Sequence, residues 1–183
     1  RITFPFIDAK VYFNKSMSFD DINKYRGFSK RYDIDPSITL VLGAGNYSSI
    51  PYLDVMYHLV TRRSVILLKL NPVNEYLKPV FDKVFKNFIE RGYIIVTTGN
   101  VDESKYMSKH PGINHIHLTG SDKTYEDIVY GRELSDSDKK VKHLQKINNK
   151  TITSELGNVT PIIINPGKWS TSDIKYQARK IVT

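Results

Sequence analysis

The chain has 183 residues, 40% hydrophobic and 25% charged, which fits a globular domain able to bury a core without disulfides or metals. It holds no cysteine, so a disulfide scaffold, a thiolate metal site and a cysteine nucleophile within this stretch are excluded. The net charge of +8 raises nucleic-acid or phosphate binding, but the densest basic run, Lys139 to Lys150, has no aromatic residue to stack a base, and a solvated surface is the preferred reading.

No run of ~18 apolar residues is present, so no membrane-spanning helix is expected. The start at Arg1, with neither a methionine nor a signal-like segment, suggests a fragment, and a cytoplasmic location is the default expectation. His58, His110, His115, His117 and His143 include no HExxH pair, so no zinc site is expected.

Residues 1–37 carry no firm assignment beyond a helical pattern from Asp20 to Lys30, and 38–183 read as one domain. Ile38 to Leu42 is a buried-strand run ending at Gly43-Ala44-Gly45, and Tyr52 to Val60 reads as a helix opened by Pro51. Val65 to Leu70 is a second apolar strand. From Asn74 to Arg91 the spacing of Leu77, Val80, Phe81, Val84, Phe85 and Phe88 predicts one long amphipathic helix, capped at Gly92. Then follow a strand at Tyr93 to Thr97, a short helix at Glu103 to Lys109, a strand at Ile113 to Leu118 and a helix from about Asp122 to Tyr130. A charged connection, Arg132 to Lys150, leads to Thr151 to Leu156, Pro161 to Asn165 and a closing helix from about Ser172. Strands that are apolar almost throughout, alternating with helices, predict an α/β fold: a Rossmann-like parallel sheet with helices on both faces.

Gly43-Ala44-Gly45-Asn46-Tyr47-Ser48, between a strand and a helix, approximates the GxGxxG dinucleotide fingerprint. The match is poor, because Ser48 stands for the third glycine and the second strand ends in Lys69-Leu70-Asn71-Pro72 rather than in a ribose-binding acid. Another combination fits better. Gly45-Asn46, Lys69 at a strand end, Leu118-Thr119-Gly120-Ser121 at another and Ser154-Glu155-Leu156-Gly157 at a third recur in an order and spacing that resemble the aldehyde dehydrogenases. With Gly43-Ala44 and Thr153 to Asn158 included, the resemblance is to a less studied branch of that superfamily.

The resemblance implies a coenzyme-binding portion that takes NAD or NADP, cut off before the catalytic cysteine. Asn46 matches the asparagine that holds the oxyanion formed when a thiolate adds to an aldehyde carbonyl; otherwise it is a turn asparagine. Glu155 matches the general base that activates water to hydrolyse the thioester, a role helped by burial; otherwise it is a glutamate at a strand end. Lys69 matches the lysine that bonds the adenosine ribose, and Gly43 and Gly99 fall in the coenzyme-binding set, Gly99 beside the adenine. Thr119, Gly120 and Ser121 match the turn at the pyrophosphate, where Ser121 could equally be a plain N-cap, and Leu156 offers backbone near the nicotinamide. Tyr125, where the family often has a glycine, could crowd the pyrophosphate, and Asn158 replaces a second glycine. Pro72 stands where NAD-preferring members often carry a glutamate, so NADP is expected to be acceptable too.

The function implied is NAD(P)-dependent oxidation of a small-molecule aldehyde to an acid by a parent enzyme, a homo-oligomer, with this chain an inactive fragment. The alternatives are an acyl-reductase of the same superfamily, and a non-catalytic basic domain that binds nucleic acid or acts as a scaffold.

Overall fold

A computed structural model describes residues 16–21, 35–141, 143–157 and 162–182. Of the helix expected over Asp20 to Lys30, residues 19–21 are helical and 22–30 lie outside the described residues, as do Asn158 and Pro161. Five strands form one parallel sheet: β1 (Ile38–Leu42), β2 (Val65–Lys69), β3 (Ile94–Thr97), β4 (His115–Gly120) and β5 (Thr151–Leu156). Their order is β3-β2-β1-β4-β5, so the winding reverses beside β1. In open α/β sheets that reversal point, at the carboxyl ends of the strands, is where ligands bind.

The helices are α1 (Ile50–Met56), α2 (Lys78–Val84), α3 (Lys86–Glu90), α4 (Val101–Lys109), α5 (Asp122–Tyr130) and α6 (Thr171–Val182). One core cluster joins Val41, Ile66, Leu68, Leu70, Ile94 and Val96 of the sheet to Val55 of α1, Phe81 of α2 and Phe85. A second, on the opposite face, joins Leu40, Leu42, Ile116 and Leu118 to Ile128 of α5, with Met107 of α4 and Tyr125 packed against it. The sheet thus carries helices on both faces.

The long helix expected over Asn74 to Arg91 is instead a 3₁₀ segment, Pro72–Leu77, followed by α2 and α3. Pro79 explains the first break. It has no N–H for the carbonyl four residues back, and its ring would strike that carbonyl, so the α-helix restarts with Pro79 in its first turn. At Phe85 the backbone leaves the helical region (φ −94°, ψ 9°), and the buried ring packs between Tyr52 and Phe81. Gly92 ends α3 with φ +74°, the left-handed C-cap that its sequence predicts. A second departure follows α1: Tyr57–Thr61 wind as a π-turn.

β4 and β5 depart from the near-continuous apolar pattern. His115, His117 and Thr119 alternate with Ile116, Leu118 and Gly120, and Thr151, Thr153 and Glu155 pair beside them. Their apolar side joins the second cluster, and their polar side lies on the face that carries α1. Among the described residues, no helix is long and apolar enough to cross a membrane.

Candidate functional site

The carboxyl edge of the sheet brings together Gly43, Asn46, Lys69, Gly99, Thr119, Gly120, Ser121, Glu155 and Leu156. Leu42 pairs with Lys69 and Leu118, Lys69 with Thr97, Thr119 with Glu155, and Gly120 with Leu156. Gly43 to Asn46 leave β1, Gly99 follows β3 and Ser121 follows β4. The two ends of this edge differ in how far they are built.

At the β2–β3 end the site is closed. Lys69, only 4% exposed, has its amine pushed below the usual lysine range by burial, against the opposing pull of Glu75 and Glu103. Glu75 accepts the Gly99 N–H at 2.9 Å, and Glu103 accepts the Asn100 N–H at 2.6 Å at the start of α4. Gly99 has φ +142°, and a Cβ there would lie 3.0 Å from the Glu103 Cβ, so both conformation and space require glycine. No acid stands at Pro72, but three residues later the Glu75 carboxylate pulls the Lys69 pKa up against burial. Sequence matching missed Glu75 because it looked for the acid at a fixed offset.

At the centre, Gly43 donates its N–H to the Lys69 carbonyl at 3.0 Å, and a Cβ on it would press on Pro51 at 3.2 Å. Asn74, buried, donates to the carbonyls of Ala44 (3.0 Å) and Gly45 (3.2 Å) and so ties the loop down. Asn46 follows in an exposed position on that loop. Ser121 caps α5, accepting from the Thr124 N–H at 3.2 Å. Tyr125 packs against the second core cluster.

At the β4–β5 end, Glu155 and Leu156 are exposed, and the Gly157 N–H reaches the Gly120 carbonyl at 3.2 Å. Glu155 thus lacks, among the described residues, the burial that helps a general base. Beside it runs a polar trough that the sequence reading did not foresee. Thr119 Oγ1 donates to Asp54 of α1 at 3.1 Å. His117 places Nε2 at 3.4 Å from the same carboxylate and Nδ1 at 2.9 Å from Thr153 Oγ1. The His58 and His117 rings lie 4.8 Å apart. Burial, then His117 and Arg62, push the His58 pKa down to about 4, with Asp54 opposing. The signal was in the sequence: β4 and β5 alternate polar and apolar residues.

Two lysines of the basic run are engaged with the chain itself. Lys139 pairs with Glu126 at 3.0 Å, and Lys150 donates to the carbonyls of Ser108 and His110 at 2.8 and 2.7 Å. Among the described residues no group of three or more histidine, aspartate or glutamate side chains could hold a metal ion.

No protein-family model and no curated protein matches the chain. Among solved structures it is similar to a candidate aldehyde dehydrogenase from Burkholderia cenocepacia (20% identity, TM-score 0.48) and to 3,6-anhydro-L-galactose dehydrogenase in complex with NAP (16% identity, TM-score 0.47). Each likeness covers 66% of this chain and 23% of the other, so the chain spans about a quarter of the length of the structures it matches.

Proposed function

We propose that the carboxyl edge of this sheet binds NAD or NADP, and that the chain is the coenzyme-binding portion of an NAD(P)-dependent aldehyde-oxidising enzyme. The observation that carries the reading is the meeting, on one edge, of Asn46, Lys69, Gly99, Thr119 to Ser121 and Glu155, each from a different strand end or loop. Four inter-strand steps of about 4.8 Å make that edge about 19 Å long, room for an extended dinucleotide. The adenosine would lie at Lys69, Glu75 and Gly99, the pyrophosphate over the turn before α5, and the nicotinamide toward Leu156.

Bound there, the coenzyme would supply the hydride acceptor. The chain's residues would do the rest. Lys69 would bond the ribose with its charge, the Asn46 amide would donate to the oxygen that gains charge, and Glu155 would take a proton from water. The nucleophile must come from outside these 183 residues, which contain no cysteine. The purified chain is therefore expected to reduce no coenzyme when given an aldehyde.

Calorimetric titration of NAD and of NADP into the chain tests the reading, with Lys69→Met as the control. A saturable heat that Lys69→Met weakens is expected. Absence of binding by both coenzymes at millimolar concentration would overturn it.

A further inference from the structure

On the face that carries α1, a cavity of about 410 Å³ lies beside Glu155, lined also by Leu53, Asp54, Tyr57, His117 and Thr153. Its volume is in the range of small-molecule sites, which begins at ~300 Å³. Leu53 of α1 and Tyr57 of the π-turn, 59% and 52% exposed, give it an apolar wall. Asp54, His117 and Thr153 give it a polar floor, and what that floor can bond follows from where its protons go.

Thr119 has one hydroxyl proton, which it donates to Asp54 at 3.1 Å. His117 Nε2 lies 3.3 Å from the Thr119 oxygen and 3.4 Å from the Asp54 carboxylate. Facing two acceptors, it must carry a proton itself. In a neutral imidazole Nδ1 is then the acceptor, so the Thr153 hydroxyl at 2.9 Å donates to it. All three protons are spent inside the network. What remains for a ligand is acceptor capacity, on the Asp54 carboxylate and on the Thr153 oxygen.

Charge points the same way. Two carboxylates, Asp54 and Glu155, line the cavity with the guanidinium of Arg62, which is engaged with another group. Burial, then His117 and Arg62, lower the pKa of His58, at the same wall, to about 4, so it adds no charge at neutral pH. Acceptors alone and an excess of negative charge suit a cation that only donates. A primary ammonium has three donors and no acceptor.

We infer that this cavity takes a primary ammonium group, held by Asp54 and Thr153, and that the substrate is an amino aldehyde. The substrate assignment rests on the coenzyme reading above; the ammonium site does not. Thr153 and Glu155 are two residues apart on one strand, about 6.7 Å. With the ammonium at Thr153, a saturated chain of about five carbons along the Leu53–Tyr57 wall brings the carbonyl to Glu155.

The test titrates the ¹⁵N-labelled chain with aminopentanol near pH 7 and reads the His117 imidazole signals. An unreactive alcohol there replaces the aldehyde. Pentanediol, of equal length without charge, and hydroxyvalerate, with the charge reversed, are the controls. Saturable shifts with aminopentanol are expected, with both controls weaker by roughly tenfold or more. The ligand-free ring should be protonated at Nε2 alone. Asp54→Asn should weaken aminopentanol about tenfold, and the ligand series on the unmodified chain decides if that variant fails to fold. No saturable shift, an equal response to pentanediol, or a ring protonated at Nδ1 would overturn the ammonium site. Saturating NAD should leave aminopentanol bound. Displacement would give the cavity to the coenzyme and overturn the substrate assignment. Lys69→Met separates the two sites: it should weaken coenzyme binding and leave the aminopentanol response intact. If neither coenzyme binds, the amino-aldehyde assignment falls with the coenzyme reading, while the ammonium site stands or falls on its own titration.

Discussion

On the β1–β2–β3 half of the sheet, the face under α1 to α3 is filled by Val41, Ile66, Leu68, Leu70, Ile94 and Val96, and Phe85 closes it at 1% exposure. On the β4–β5 half the same face shows His115, His117, Thr119, Thr153 and Glu155. Both halves pair in parallel along one continuous ladder, so backbone geometry does not distinguish them. The difference lies in every second side chain. One half spends its face on burial, at about 25 cal/mol per Å² of apolar area. The other turns imidazoles, hydroxyls and a carboxylate toward that face. Apolar burial and polar side chains are thereby separated within a single sheet.

The largest expected effect belongs to the polar half. In an enzyme that supplies the cysteine, Glu155→Gln should slow turnover by roughly 10²–10⁴-fold, the range for a lost general base, and leave a burst of reduced coenzyme. Rapid-mixing kinetics check it; loss of the burst as well would place Glu155 in an earlier step. Its stability cost should stay within about 0.5 kcal/mol, as for an exposed site.

Acid should act through the same half. His58 titrates near 4 in the folded chain against 6.5 for the free side chain, because burial, His117 and Arg62 disfavour its charged form. Between those values the unfolded chain binds a proton that the folded chain refuses. Stability is therefore full above pH 6.5 and falls as pH drops toward 4, by about 3 kcal/mol in all. Urea titrations across that window should show the loss, and His58→Gln should flatten it. An equal slope in the variant would assign the loss to other groups.

Two glycines sharpen the contrast. Gly99 and Gly157 both have positive φ, +142° and +91°, but a Cβ meets Glu103 at 3.0 Å in the first case and nothing within 4 Å in the second. Gly99→Ala should cost about 2–3 kcal/mol and Gly157→Ala about 1, the strain of the conformation alone. Equal costs in thermal unfolding would mean that the β2–β3 end is no tighter than the β5 end. The smallest effect concerns coenzyme choice. With Glu75 beside Lys69, NAD should be favoured over NADP, and Glu75→Gln should bring their affinities within about tenfold, or 1.4 kcal/mol. An unchanged ratio would remove Glu75 from the ribose site.

Much of this was legible wherever the signal is local. The β1 run Ile38 to Leu42, the Gly92 cap and the Ser121-capped helix from Asp122 to Tyr130 all stand as the sequence predicts. The broken helix after Asn74 was also legible, since Pro79 forbids it, but apolar spacing outweighed one proline in the reading. The trough could have been inferred from the alternation of His115-Ile116-His117-Leu118. The Lys69 site was readable only in part. Glu75, Gly99 and Glu103 come from a 3₁₀ turn, a loop and a helix, and no spacing rule joins them. The exposure of Glu155 was not readable either, because it depends on what packs over β5.

The π-turn at Tyr57–Thr61 gives the helix after β1 one residue more than an α-helix of the same length needs. Shortening it by a single residue there, Leu59 for example, would let the α-helical ladder run on unbroken. The π-turn takes up that residue as a bulge, so its removal would leave the chain beyond Arg62 in place. Arg62 would then stand three positions after His58 instead of four, still on the same side of the helix. The surplus residue works as a spacer between two side chains four positions apart, and deleting it would shift the guanidinium along the helix face without touching a single strand.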